Sequence, residues 1–273
     1  MKALFIAFVV FVLCNNTLGG VFRHDVPVEK YLELAKQTQF GCVGQLKKVD
    51  GGGAGSAVMI ASNWAVTSAH IFDASMGKGM TLEINGQTFQ ILEAILHPDF
   101  QKVKTAQYTD LALVKLLGNY KGEIARIYNK GKEIKSIATM VGYGRSRGAF
   151  EPSAKLLGKM AGQNVIDAIG GKDLPDNFLS VDFDSPAHVS LSSLGDAKPL
   201  PLEYIIDGGD SGGGLFVEHD GKWFLAGINT RTVHDQNRLT SNFEKYGFYG
   251  SVSHFTRITS YQEWIKVSTG KAN

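Results

Sequence analysis

From Val43 onward the hydrophobic positions fall in short runs of β-forming residues separated by turns. Val43 to Val49, Ser56 to Ile60, Ala65 to Thr67, Thr81 to Ile84 and Thr88 to Leu96 each read as a strand. Asn85-Gly86 joins two of them, the strongest short signal for a hairpin. Leu111 to Leu117, Ile137 to Tyr143, Gly214 to Val217 and Trp223 to Asn229 continue the pattern. Helical patterning is confined to the edges, over Val28 to Gln37 and Tyr261 to Val267. Strands at this spacing with no repeating helix between them predict a barrel or sandwich, not a βαβ sheet. Gly144 to Pro201 is less regular and rich in proline, which predicts long loops there. There is no internal repeat and no low-complexity linker, and the length allows two small barrels packed together.

The start of the chain breaks this pattern. Met1 and Lys2 precede an unbroken apolar run, Ala3 to Cys14, followed by the small and polar residues Asn15 to Gly20. A basic start, an apolar stretch of this length and a small-residue exit describe a secretory signal peptide. A membrane-spanning helix needs about 20 apolar residues, so no stable membrane anchor is expected. Cleavage near Gly19 or Gly20 removes Lys2 and leaves 27 basic against 26 acidic residues, a net charge of +1. It also leaves one cysteine, Cys42, expected as a buried small hydrophobe. A secreted chain without an internal disulfide must rely on its core.

Composition narrows the function. Glycine supplies 32 of 273 residues, about 12% against a usual ~7%, which fits many tight turns. The full chain carries +2 with interspersed signs, so nucleic acid is not an expected partner. Six of the seven histidines, at 24, 97, 188, 219, 234 and 254, show no metal-ligand spacing, and two cysteines cannot make a four-thiolate zinc site. Neither a metal nor a cofactor is expected.

The most informative segment is Asp207-Gly-Gly-Asp-Ser-Gly-Gly-Gly214. Gly209 to Gly213 form Gly-x-Ser-x-Gly, the pattern of a serine hydroxyl exposed on a sharp turn whose N–H groups aim at a developing oxyanion. By itself the pattern also fits a plain glycine-rich turn. An α/β-hydrolase elbow would place Asp and then His downstream, and Asp235 and His254 lie in that order. The glycines and Leu215-Phe216-Val217 that follow Ser211 start a strand better than a helix, which weighs against that arrangement. Upstream, Gly55 to Ala69 run into His70, and Thr109-Asp110 open the run Leu111 to Leu116.

These three blocks, in the order His, Asp, Ser, resemble those of the trypsin/chymotrypsin-like serine endopeptidases. His97-Pro98, Gly142-Tyr-Gly144, Leu225 to Asn229 and Phe255 to Ile265 add to the likeness, which covers nearly all of Val43 to Ile265. The resemblance implies an all-β fold of two packed antiparallel six-stranded β-barrels with a C-terminal helix. It implies a catalytic triad of His70, Asp110 and Ser211, and an oxyanion hole from the N–H groups of Gly209 and Ser211. Asp210 would be a supporting residue, and the Thr230 hydroxyl would bond the aspartate. Ile205, Thr230, Thr232 and Ser253 would line the substrate pocket. Residues 21–42 would form an N-terminal segment, 43–265 the protease domain with its divide near 120–135, and 266–273 a tail.

The chain departs from that pattern in three places. Ile71 follows His70 where familiar secreted relatives carry a bridged cysteine. Ile205 stands where tryptic members have aspartate, and Thr232 aligns with a pocket-wall glycine. A small or medium apolar residue before the scissile bond is therefore expected, with Asp207 not expected to bind a basic one. No Ile/Val-Val-Gly-Gly-like activation start precedes Val43, so Asp210 needs another partner or the terminus left by signal cleavage. The short His70 to His97 stretch gives no calcium site. The expected protein is a secreted monomeric endopeptidase acting on polypeptides, with a protein inhibitor as a possible partner. The alternatives are an esterase-like acyl hydrolase using the same serine and a non-proteolytic binding homologue.

Overall fold

The computed structural model describes residues 20–72, 77–102, 109–171 and 174–270. The expected signal peptide lies outside the described residues except for Gly20, as do residues 271–273 of the expected tail.

The first half closes into a barrel. Its strands are β2 (Val43–Lys47), β3 (Gly53–Ala61), β4 (Trp64–Thr67), β5 (Thr81–Ile84), β6 (Gln87–Leu96) and β7 (Ala112–Leu116), after a short β1 (Gly20–Phe22) outside it. The order is β2-β3-β4-β7-β6-β5, and β5 returns to β2 through Gln45–Glu83, Leu46–Leu82 and Lys47–Thr81. Closure leaves no bare edge in this half, and Leu46, Val58, Val66, Leu82 and Leu113 are fully buried in its core. Asn85 and Gly86 turn the β5–β6 hairpin with φ of 46° and 73°, the left-handed pair that matches strand twist.

The second half holds β8 (Ile137–Gly142), β9 (Arg145–Gly148), β10 (Lys155–Leu156), β11 (Met160–Val165), β12 (Ala168–Gly171), β13 (Leu174–Asp182), β14 (Tyr204–Ile205), β15 (Gly214–His219), β16 (Lys222–Val233) and β17 (Val252–Arg257). The stretch expected to be long loops thus carries five strands before residue 183. Seven strands form one antiparallel sheet in the order β11-β8-β15-β16-β17-β13-β12. This sheet is not a second closed barrel, because both edges that would meet are taken. The free edge of β13 pairs with β12, and that of β11 takes the 202–203 segment, with Gln163 N–H donating to the Leu202 carbonyl. The Asn164 amide spans the gap, donating to the carbonyls of Asp182 at 2.6 Å and Tyr204 at 3.2 Å.

The N-terminal segment belongs to this body. β1 lies parallel to β9 and antiparallel to β14, and the helix Val28–Ala35 buries Tyr31 and Leu34. The C-terminal helix Gln262–Thr269 runs past the expected boundary at 265 and ends on Gly270 in the left-handed conformation. No helix among the described residues is long and apolar enough to cross a membrane.

Candidate active site

His70 sits in a one-turn helix, Ala69–Ile71, directly after β4, and Asp110 lies just before β7, the neighbour of β4 in the barrel. The β4–β7 pairing therefore brings the two side chains together. Asp110 is fully buried; its Oδ1 accepts the His70 backbone N–H at 2.9 Å and its Oδ2 lies 2.6 Å from His70 Nδ1. In the neutral imidazole that bond fixes Nδ1 as the donor and leaves Nε2 as an acceptor. The Ser211 hydroxyl is 2.9 Å from Nε2. Burial alone would lower the His70 pKa, but the Asp110 hydrogen bond and charge outweigh it and hold the imidazole above its ordinary value.

The turn bearing Ser211 is fastened to both halves. Ser56 N–H of β3 donates to the Ser211 carbonyl at 2.8 Å, and Gly212 N–H donates to the Asn229 carbonyl of β16 at 2.8 Å. Asn229 in turn donates its amide to the carbonyls of Asp210 and Val141. Gly209 has φ +93°, a conformation open to glycine and costly for other residues. The N–H groups of Gly209 and Ser211 have no acceptor among the described residues. A hydroxyl, an acceptor nitrogen and two unengaged donors so arranged can move a proton and hold a developing oxyanion.

Asp210 is completely buried. It accepts from Gly144 N–H at 2.9 Å, the Tyr204 hydroxyl at 3.1 Å and Asp207 N–H at 3.3 Å. Burial nevertheless lifts its pKa to about 7, because no cation faces it among the described residues. Gly20 is packed against it: a Cβ at Gly20 would stand 2.7 Å from Asp210 Oδ2 and overlap the Tyr204 hydroxyl.

The expected pocket residues are only partly brought together. Thr232 and Ser253 pair across β16–β17, and their hydroxyls bond each other at 2.7 Å, with Thr232 Oγ1 also donating to the Ile206 carbonyl. Ile205 is fully buried, its backbone paired with Val21. Thr230 does not bond the Asp110 carboxylate. It bonds Thr256 Oγ1, and Thr256 donates to the Asp110 backbone carbonyl; β17 thus stands between the two. Asp207 is engaged within the protein, its Oδ2 2.8 Å from Arg147 Nη2 and 3.6 Å from His234 Nε2. The buried Arg147 guanidinium lies 4.0 Å over the Phe248 ring. No sequence signal pointed to this cluster, whose members are 60 and 27 residues from one another along the chain (207 − 147; 234 − 207).

Cys42 is buried beside the Gln39 carbonyl, and desolvation pushes its thiol up to about 12. The thiol is therefore protonated and unreactive at neutral pH. Among the described residues no group of three or more His, Cys, Asp or Glu could hold a metal ion.

The Trypsin family model matches residues 33–183. The chain belongs to the trypsin family. The match takes in His70 and Asp110 and ends before Ser211. No curated protein matches the chain. In this family member His70 stands between the other two, hydrogen-bonded through Nδ1 to Asp110 and through Nε2 to Ser211.

Proposed function

We propose that the chain is a secreted serine endopeptidase that cleaves polypeptides through an acyl-enzyme intermediate. The observation that carries this reading is the unbroken chain Asp110 Oδ2···His70···Ser211 Oγ beside two unengaged N–H groups. Ser211 attacks the scissile carbonyl as His70 takes its proton and then returns it to the leaving amine. Asp110 holds the tautomer and stabilises the imidazolium. The Gly209 and Ser211 N–H groups bind the oxyanion, where one donor is typically worth ~10²–10³ in turnover. The protease domain spans 43–265, its two halves meeting at the cleft.

The Thr232 hydroxyl, bonded to Ser253 of β17 and to the Ile206 carbonyl, occupies the space between β16 and the Ile206 backbone. This supports a small apolar side chain before the scissile bond. Activation follows signal-peptide removal: a cut before Gly20 puts a new α-ammonium beside Asp210, whose buried carboxyl has no other cation among the described residues. N-terminal sequencing of active protein tests this step, and a start well beyond Val21 would contradict it.

Hydrolysis of internally quenched peptides by the mature protein, beside a Ser211→Ala control, tests the function. Peptide turnover lost in the control is expected. Turnover of activated esters with no peptide cleavage would favour the acyl-hydrolase alternative, and no turnover of either would leave a binding role.

A further inference from the structure

An open cavity of about 650 Å³ adjoins the oxyanion turn. It is lined by Gly208 and Gly209, by Gly53 to Gly55 and the β2–β3 hairpin, and by Tyr143 and Leu156. Its charged lining residues are Lys47, Lys48 and Arg145, and no acidic side chain among the described residues lines it. Lys47 lies 3.6 Å from Glu83 outside the cavity. The nearby Asp50 turns back on its own hairpin, accepting Gly52 N–H at 2.8 Å. Lys48 is exposed and makes no ion pair among the described residues.

The location decides which part of a substrate enters. In the endopeptidase reading the joined Thr232, Ser253 and Ile206 belong to the pocket on the acyl side of Ser211. Gly55 lies on the other side: a Cβ there would stand 2.7 Å from Ile71 Cδ1, next to His70, and 2.9 Å from the Ser211 carbonyl oxygen. The peptide that departs with the proton from His70 therefore passes over Gly55 into this cavity. The bare glycine floor leaves room for its backbone, and Lys48 and Arg145, the latter also donating to the Ala154 carbonyl at 3.2 Å, bring positive charge to the cavity lining. We infer that this cavity binds the leaving-group side of the substrate and selects acidic residues two or three places after the scissile bond. The inference rests on the endopeptidase reading above and names the class of polypeptide that site takes.

The test uses internally quenched peptides identical before the scissile bond, with Asp, Ala or Lys at the second and third positions after it. Mature wild-type protein is compared with Lys48→Glu and with Lys48→Glu/Arg145→Glu. Turnover of a small activated ester, which has no residues on the leaving side, normalises each variant for the fraction with an assembled triad. The expected kcat/KM order in wild type is Asp, then Ala, then Lys, spanning roughly tenfold at low salt and shrinking at about 0.5 M NaCl. Lys48→Glu is expected to cut the Asp-to-Lys ratio at least roughly threefold, and the double variant to invert it. Wild-type ratios within about twofold of one, or a ratio unmoved in the double variant, would overturn the inference while leaving the catalytic reading intact. Ester turnover without cleavage of any peptide would overturn both.

Discussion

Arg147→Met tests whether the oxyanion turn is braced by a buried ion pair. Arg147 is 2% exposed and Asp207 9%, with 2.8 Å between Nη2 and Oδ2. Asp207 Oδ1 also accepts Gly208 N–H at 2.8 Å, one residue before Gly209. Methionine keeps most of the packing over Phe248 but takes from the Asp207 carboxylate its guanidinium, leaving the Gly208 N–H and His234 beside it among the described residues. Removing one partner of a buried pair costs about 3–5 kcal/mol. A chain of this size loses about 2–4 °C of Tm per kcal/mol, which predicts a fall of roughly 6–20 °C by calorimetry. Because most of that cost is the stranded charge, Arg147→Met/Asp207→Asn should recover most of the loss. A single variant within about 1 °C of wild type, or a double variant no better than the single, would refute the brace.

Three further outcomes are expected. Activity requires neutral His70, whose pKa is held above the ordinary ~6.5, so kcat/KM should rise with pH through a value above that. Asp110→Asn should lower turnover by about 10⁴ and move the acid limb to lower pH, as a pH–rate profile would read. Glu203 is buried, accepting N–H groups from Leu200 at 2.6 Å and Asp184 at 3.4 Å, and burial lifts its pKa to about 9. Its unfolded value is about 4.3, so folding favours the protonated form. That contribution is complete below about pH 4 and is lost as pH rises towards 9. Relative to wild type, Glu203→Gln should therefore gain stability across this window, and a constant difference in Tm would contradict the assignment. Thr232→Gly removes the hydroxyl that bonds Ser253 and the Ile206 carbonyl. It should shift preference before the scissile bond from small towards larger side chains in a peptide library; an unchanged profile would place the pocket elsewhere.

What was legible in the sequence was what local chemistry dictates. The Asn85-Gly86 hairpin follows from two residues that accept positive φ, and the strands of the first barrel from runs of β-formers. Both end helices were expected within two residues of their observed bounds. The triad candidates were visible because each sits in a distinctive short block, although the contacts that join them span 40 and 141 residues. The strands within 145–182 escaped notice because sequences such as Met160-Ala-Gly-Gln-Asn-Val165 carry little β-propensity and are held by their neighbours. The open second sheet was equally hidden, since which strand covers a free edge depends on the 202–203 segment and β12. The place of Thr230 was misjudged for the same reason: Thr256, distant in sequence, intervenes between it and Asp110.

The central claim is that Ser211 is an activated nucleophile beside a formed oxyanion hole. Labelling of the mature protein with a fluorophosphonate probe, read by intact mass and peptide mapping, tests it most directly. The account predicts one adduct per chain, on Ser211, absent from Ser211→Ala and suppressed by Asp110→Asn. A folded wild-type protein that takes up no label, or labels elsewhere than Ser211, would contradict it.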